Sequence, residues 1–210
     1  MVLCLLIGDS HIPYRKKNVS EIILNKLDDL TTNELFDYTF FTGDIVKAPN
    51  FIHFLKRRTE KNFFVVVGNM DYYYGNRDAP IYQELKILLE NNKNELIIGL
   101  THGAQIRPRG DHNQLEQFAI EKANNILISG HTHKEEVYLT KKGILLINPG
   151  SVTGAWSFLA SSIPSFSILI INEDTKDITV SLYQIDIKSD KIYELESHFI
   201  INNNQIRYKF

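Results

Sequence analysis

A chain of 210 residues, 43% hydrophobic and 23% charged, is long enough for one domain with a sizeable core and has an ordinary globular mix. Its formal net charge of −2 excludes a surface built to coat nucleic acid, and any membrane contact is expected to come only through partners. The lone cysteine, Cys4, cannot form an internal disulfide and sits in an apolar run, so we expect a buried core residue and a cytoplasmic, reducing location. That run, Val2–Ile7, is too short for a secretory leader, and no stretch is long enough to span a bilayer.

In chain order, residues 2–7 read as a buried strand ending at Gly8. Asn18 is placed to cap a helix whose apolar positions are Ile22, Ile23, Leu27 and Leu30. Residues 38–41 read as a second buried strand before Gly43-Asp44. Pro49 opens a second helix, with Phe51, Ile52 and Leu55 on one face. Residues 63–67 form a third strand ending at Gly68. Strand, glycine, polar residue and helix thus recur, the pattern of a parallel sheet with helical crossovers, whose ligands bind beyond the strands' carboxyl ends. Leu85, Ile87 and Leu89 alternate with charged or polar neighbours and read as a hairpin with residues 96–100 across the turn cluster 91–94, with a short helix over 81–90 as the alternative. Asp111 with Gln114 predicts a capping box for a helix carrying Leu115, Phe118 and Ala119. A strand at 126–129 and a hairpin of 136–140 with 144–148 follow. Segments 166–171, 178–185 and 191–195 read as antiparallel strands. The expected fold class is α/β, with two mixed sheets and helices outside each. The expected domain runs over 1–196, with 197–210 as a loosely ordered C-terminal extension.

Five short motifs stand at strand ends: Gly8-Asp9-Ser10-His11, Gly43-Asp44, Gly68-Asn69-Met70-Asp71, Thr101-His102-Gly103 and Gly130-His131-Thr132-His133. Singly each is weak, since a Gly-Asp pair after a strand is usually a turn. Together they supply carboxylate, amide and imidazole ligands suited to two divalent metal ions, with one carboxylate bridging to offset the repulsion between the cations. Manganese, zinc or iron suit such a mixed set. His53, His112 and His198 lie outside the motifs and read as ordinary helix or surface residues. Tyr72, Tyr73 and Tyr74 read as a half-buried loop.

This series resembles the calcineurin-like metallophosphoesterase superfamily, which implies a four-layer α-β-β-α sandwich. By that resemblance Asp9, His11, Asp44 and His133 hold one metal, and Asp44, Asn69, His102 and His131 the other. The catalytic set is Asp9, His11, Asp44, Asn69 and His102, acting through a metal-bound hydroxide on a small phosphodiester, with Asp71 orienting a ligand from behind. Many active members carry histidine after the asparagine; here Met70 stands there, and a thioether cannot donate a proton. The resemblance therefore implies a lower rate and a narrower substrate range.

Further segments tighten it: GDSHIP at 8–13, QIRPRGD at 105–111, ISGHTHK at 128–134 and INPGSVTGA at 147–155, with Pro164-Ser165-Phe166. These are similar to the metallophosphoesterase-fold subunits of retromer, an endosomal cargo-sorting coat. That resemblance implies a scaffold in retrograde endosome-to-Golgi protein transport, cytoplasmic and peripheral to endosomes through its complex. It implies docking of the helical-solenoid retromer subunit around the metal site. It also implies an apolar pocket for regulator peptides matching Ile168 and Tyr183, with Ser181 where an aromatic is usual. Animal members have asparagine at position 44 and aspartate at 69; here both follow the enzyme pattern. Scaffold and metal-dependent phosphodiesterase are thus both carried forward.

Overall fold

The computed structural model describes residues 1–89 and 94–209. Strand β1 (Val2–Ile7) is buried at every position from 4 to 7, as a strand covered on both faces requires. It pairs in parallel with β2 (Phe36–Phe41), and β2 with β3 (Thr59–Val65). Helices α1 (Glu21–Leu30) and α2 (Pro49–Lys56) make the crossovers, and Pro49 opens α2 as expected. α1 begins later than Asn18 suggests. Ser20 is its N-cap, because Val19 is drawn into the core and holds the chain extended before the first turn. β3 likewise starts earlier than residue 63, since Phe36 pairs with Thr59 along an edge where exposed polar side chains are tolerated.

A short helix α3 (Asn69–Tyr73) follows β3. Of the tyrosine run, Tyr74 is half-buried in the turn after the helix, as expected, whereas Tyr72 and Tyr73 lie on α3 at 55% and 76% exposure. Strands β4 (Tyr82–Leu89) and β5 (Asn94–Thr101) pair antiparallel, which settles the hairpin against the helix. The predicted turn at 91–94 lies, apart from Asn94, outside the described residues. Helix α4 (His112–Glu121) is capped by Asp111, which accepts from the Gln114 N–H at 2.9 Å. Only half the capping box forms, because the Gln114 side chain turns to the backbone of Arg107 instead.

The remaining strands are β6 (Ile126–Ile128), β7 (Glu136–Leu139), β8 (Leu145–Asn148), β9 (Ser165–Ile171), β10 (Asp177–Asp186), β11 (Lys191–Asn202) and β12 (Gln205–Tyr208). Among the described residues they form two mixed sheets, ordered β12-β11-β10-β9-β1-β2-β3 and β4-β5-β6-β8-β7. Their facing sides share one core that includes Leu6, Phe40, Leu100, Ile128 and Ile147. α1 and α2 cover the first sheet through Ile23, Leu27 and Leu55, and α4 covers the second through Leu115 and Ala119. The result is the expected α-β-β-α sandwich. Cys4 is fully buried, and its burial raises the thiol pKa.

The tail expected to be loosely ordered is instead built into the sheet. β11 runs unbroken through residue 197, and β12 folds back on it. Phe199, Ile201 and Ile206 join the inter-sheet core, and the Ile206 N–H donates to Gly143 on the other sheet at 2.9 Å. No helix among the described residues is long and apolar enough to cross a membrane.

Candidate metal centre

The carboxyl ends of β1, β2 and β3 in one sheet and of β5 and β6 in the other meet at one rim. Asp9, His11, Asp44 and His133 bring one ligand atom each to within 4.8 Å of one another, all buried. Asp44 is central. Its Oδ1 accepts from the Met70 N–H at 2.7 Å, leaving Oδ2 3.3 Å from His11 Nε2 and 3.5 Å from His102 Nε2. It therefore stands between the first cluster and a second group gathered around His102. There the Asn69 Oδ1 lies 3.1 Å from His102 Nε2, and the rings of His102 and His131 meet edge-on at 5.0 Å.

The lone pairs decide what these groups are for. His133 Nδ1 donates to the Ala155 carbonyl at 2.8 Å, and His102 Nδ1 to the Thr42 carbonyl at 2.8 Å. In a neutral ring each Nε2 is then a bare lone pair. His133 Nε2 faces His11 Nε2 at 2.9 Å and Asp9 Oδ1 at 3.4 Å. Asp9 Oδ2 is satisfied by the His131 N–H at 3.1 Å and by Thr42 Oγ1 at 3.4 Å, but the fully buried Oδ1 has no hydrogen bond. The Nε2 lone pairs of His102 and His133 facing carboxylate and amide oxygens, with one buried carboxylate oxygen orphaned, form an arrangement that a divalent cation satisfies and hydrogen bonding does not.

Electrostatics agree. Burial, and then the neighbouring His133, hold the His11 pKa down at about 2. Burial, and then His102, lower His131 to about 3, and burial lowers His133 to about 4. The contacts of His11 and His133 with Asp9 and Asp44 are therefore not ion pairs, and the rings of His11, His131 and His133 are neutral. Burial, reinforced by Asp44, pushes the Asp9 pKa well above the usual carboxylate range, and burial raises Asp44. Two buried acids and uncharged imidazoles lack only a positive charge.

The backbone is bent to present these groups. Asp9, His11, Asp44, His131 and His133 all have positive φ, between 48° and 70°, a region that costs non-glycine residues energy and is retained where function requires it. Gly68 gives the necessary clearance, since a methyl there would collide with the Asp44 carboxylate. Asp71 accepts from the Val46 N–H at 2.7 Å and the Gly68 N–H at 3.0 Å, tying two ligand-bearing loops together. Both of these bonds go to backbone rather than to a side chain of the cluster.

The sequence reading leaves out Thr42, Ser151 and Ala155. Ser151 Oγ donates to the Asp9 carbonyl at 2.7 Å, so the 147–155 segment buttresses the site. His53 lies exposed on α2, His112 pairs with Glu136, and His198 lies exposed on β11, all outside the centre. Ile168 and Tyr183 come together on the helix-covered face of the first sheet. Both are buried: Tyr183 stacks on Phe166 at 4.8 Å, gives its hydroxyl to Glu194 at 2.5 Å and carries Lys26 over its ring at 5.1 Å.

With the geometry in place, the comparisons with known proteins are decisive on family. Residues 2–174 match the calcineurin-like phosphoesterase superfamily domain. The chain belongs to that superfamily. A probable metallophosphoesterase of Methanothermobacter thermautotrophicus is 31% identical over 148 residues, covering 70% of this chain and 76% of the relative. Vacuolar protein sorting 29 from Cryptosporidium parvum superposes with a TM-score of 0.80 at 30% identity, over 95% of this chain and 98% of its own. Wild-type Vps29 of Entamoeba histolytica, solved in complex with zinc, gives 0.76 at 30% identity, over 93% and 99%. The likeness to the sorting-coat branch, expected from the short segments, therefore holds over almost the whole chain.

Proposed function

We propose that the protein is a Vps29-type retromer subunit, a scaffold of endosomal sorting that docks its helical-solenoid partner on the rim of a two-metal centre. One observation carries this reading: the rim beside the ligands is apolar and exposed. His133 is tethered to Ala155, and the next residue, Trp156, is 62% exposed, with Phe158 at 84% and Leu159 at 46%. Across the site Tyr72 and Tyr73 project from the helix that begins at Asn69. Contiguous exposed apolar side chains of this kind mark protein contact surfaces. On this reading the protein is cytoplasmic and reaches endosomes only through its complex. Mixed with the solenoid subunit from the same source, it is expected to form a complex at micromolar concentration. The double substitution Trp156→Asp, Phe158→Asp should weaken that complex at least about 100-fold, by analogy with the loss of central aromatic anchors. No complex with the wild-type protein would sink the scaffold reading.

The convergent lone pairs favour a second reading on the same site, a metal-dependent phosphodiesterase. Asp9, His11, Asp44 and His133 would hold one ion, and Asp44, Asn69, His102 and His131 a second, with manganese, zinc or iron as candidates. Such ions supply positive charge for phosphate oxygens and lower the pKa of water. The chain's own part is to bring the ligands in neutral or anionic form and to exclude proton donors. Met70 gives a leaving group no proton, so aryl esters, which leave as stable anions, should be hydrolysed and alkyl esters hardly at all. With manganese and a bis-aryl phosphodiester, Asp44→Asn and His102→Ala should each lower turnover on the order of 100-fold. Activity surviving both substitutions would point to a contaminant, and silence with every metal would exclude the enzyme.

A further inference from the structure

A cleft of about 480 Å³ opens directly beside the metal centre, and Asn69 and His102 belong to both. Its other walls include Tyr72, Ile81, Tyr82 and Phe118, with Lys122 at the edge. This volume falls within the ~300–1,000 Å³ usual for small-molecule sites. The aromatic wall is held rigid. Tyr82 meets Phe118 edge-on at 5.8 Å, and its hydroxyl accepts from Asn124 at 2.8 Å and donates to Glu84 at 3.0 Å. Lys122 Nζ lies 5.2 Å from the Tyr82 ring centre, and the Arg77 guanidinium 4.1 Å from that of Tyr72. Ile81 has its backbone fixed, its carbonyl accepting from Thr101 Oγ1 at 3.2 Å, yet its side chain is 78% exposed. Flat rings, the Lys122 cation and an uncovered aliphatic side chain are thus arranged beside the candidate metal centre.

We propose that this cleft seats the aromatic group of a phosphate ester whose phosphate lies on the metal centre. The assignment rests on the phosphate-binding metal reading given above and adds the class of its ligand. Aromatic walls take a planar ring by stacking, with little dependence on its identity, and Lys122 favours its electron-rich face. Met70 agrees independently, because a site without a proton donor there suits an ester of an acidic, aromatic alcohol. The test is calorimetric binding of two non-hydrolysable ligands, phenylphosphonate and methylphosphonate, to the full chain loaded with manganese. Phenylphosphonate is expected to bind at least about tenfold more tightly. That advantage should be lost in Ile81→Ser and Tyr72→Ser, both exposed and so harmless to folding, while methylphosphonate affinity stays constant. Equal affinity of the two phosphonates for the wild type would overturn the cleft and leave the metal centre standing. A preference retained in both variants would also overturn it, and no binding of either phosphonate would remove the metal reading with it.

Discussion

Manganese should raise the melting temperature of the wild-type protein by about 5–10 °C at a hundredfold excess over its Kd, from ~2.7 kcal/mol of linkage in a chain of this size. Asp9→Asn should erase that rise and yet make the metal-free protein more stable than the wild type. The reason lies in the orphaned Oδ1, fully buried and 3.4 Å from the lone pair of His133 Nε2. An asparagine can keep its oxygen on the His131 N–H and place its amide nitrogen where Oδ1 stands, replacing an oxygen that has no donor by an N–H facing His133 Nε2. The sign follows from linkage. Asp9 has a folded pKa above its ordinary 3.8, so it binds its proton more tightly when folded. Its contribution favours the fold below that ordinary value and is lost as pH rises through the raised one, so near neutrality the metal-free wild type carries a penalty the variant escapes. The gap between the two should therefore close as pH falls towards 3.8. Thermal unfolding with chelator and with manganese, at two pH values, measures all of this. A metal-free Asp9→Asn that melts below the wild type would show that the buried carboxylate is satisfied by some other means.

Removal of residues 197–210 should abolish cooperative unfolding altogether. The deletion strips Phe199, Ile201 and Ile206 from the core between the sheets, together with the Ile206–Gly143 hydrogen bond that joins one sheet to the other. It also leaves Ile178 and Val180 without the cover of the strand and hairpin beyond them. Phe199→Ala alone is expected to cost about 3–5 kcal/mol. A small protein's entire stability is only ~5–15 kcal/mol, so three such losses leave too little. Denaturant titration distinguishes the cases: the point variant should still unfold cooperatively at a lower midpoint, and the truncated chain should show no transition. A truncated chain that melts like the full one would mean that the hairpin merely rests on the sheet.

Much of the site is legible in the residues themselves. A buried parallel strand must be a continuous apolar run, and a glycine followed by a carboxylate, amide or imidazole marks where it ends. That pattern names Asp9, Asp44, Asn69 and His131 without coordinates, and His102 stands at a strand end with its glycine after it. Pro49 and Asp111 are legible for the same reason, since each meets a requirement of its own helix end. Failures occur where the deciding contact is remote. Asn18 is as good a cap as Ser20, and only the burial of Val19 in the distant core selects between them. The asparagine-rich tail reads as loose, because the strand and turn that bury Phe199 and Ile206 lie elsewhere in the chain. Trp156 and Phe158 are visible as residues, but nothing local says that they face solvent beside His133.

The sequence alone determined the chemical inventory: which oxygen and nitrogen ligands exist, and that each follows a strand end. Tertiary structure alone decided that unprotonated imidazole nitrogens and a carboxylate oxygen without a donor point into one space, with an uncovered apolar rim around it. Ligand identity belongs to a single side chain, whereas distance, burial and pKa depend on groups brought together from two sheets, with His11 and His133 lying 122 residues apart along the chain.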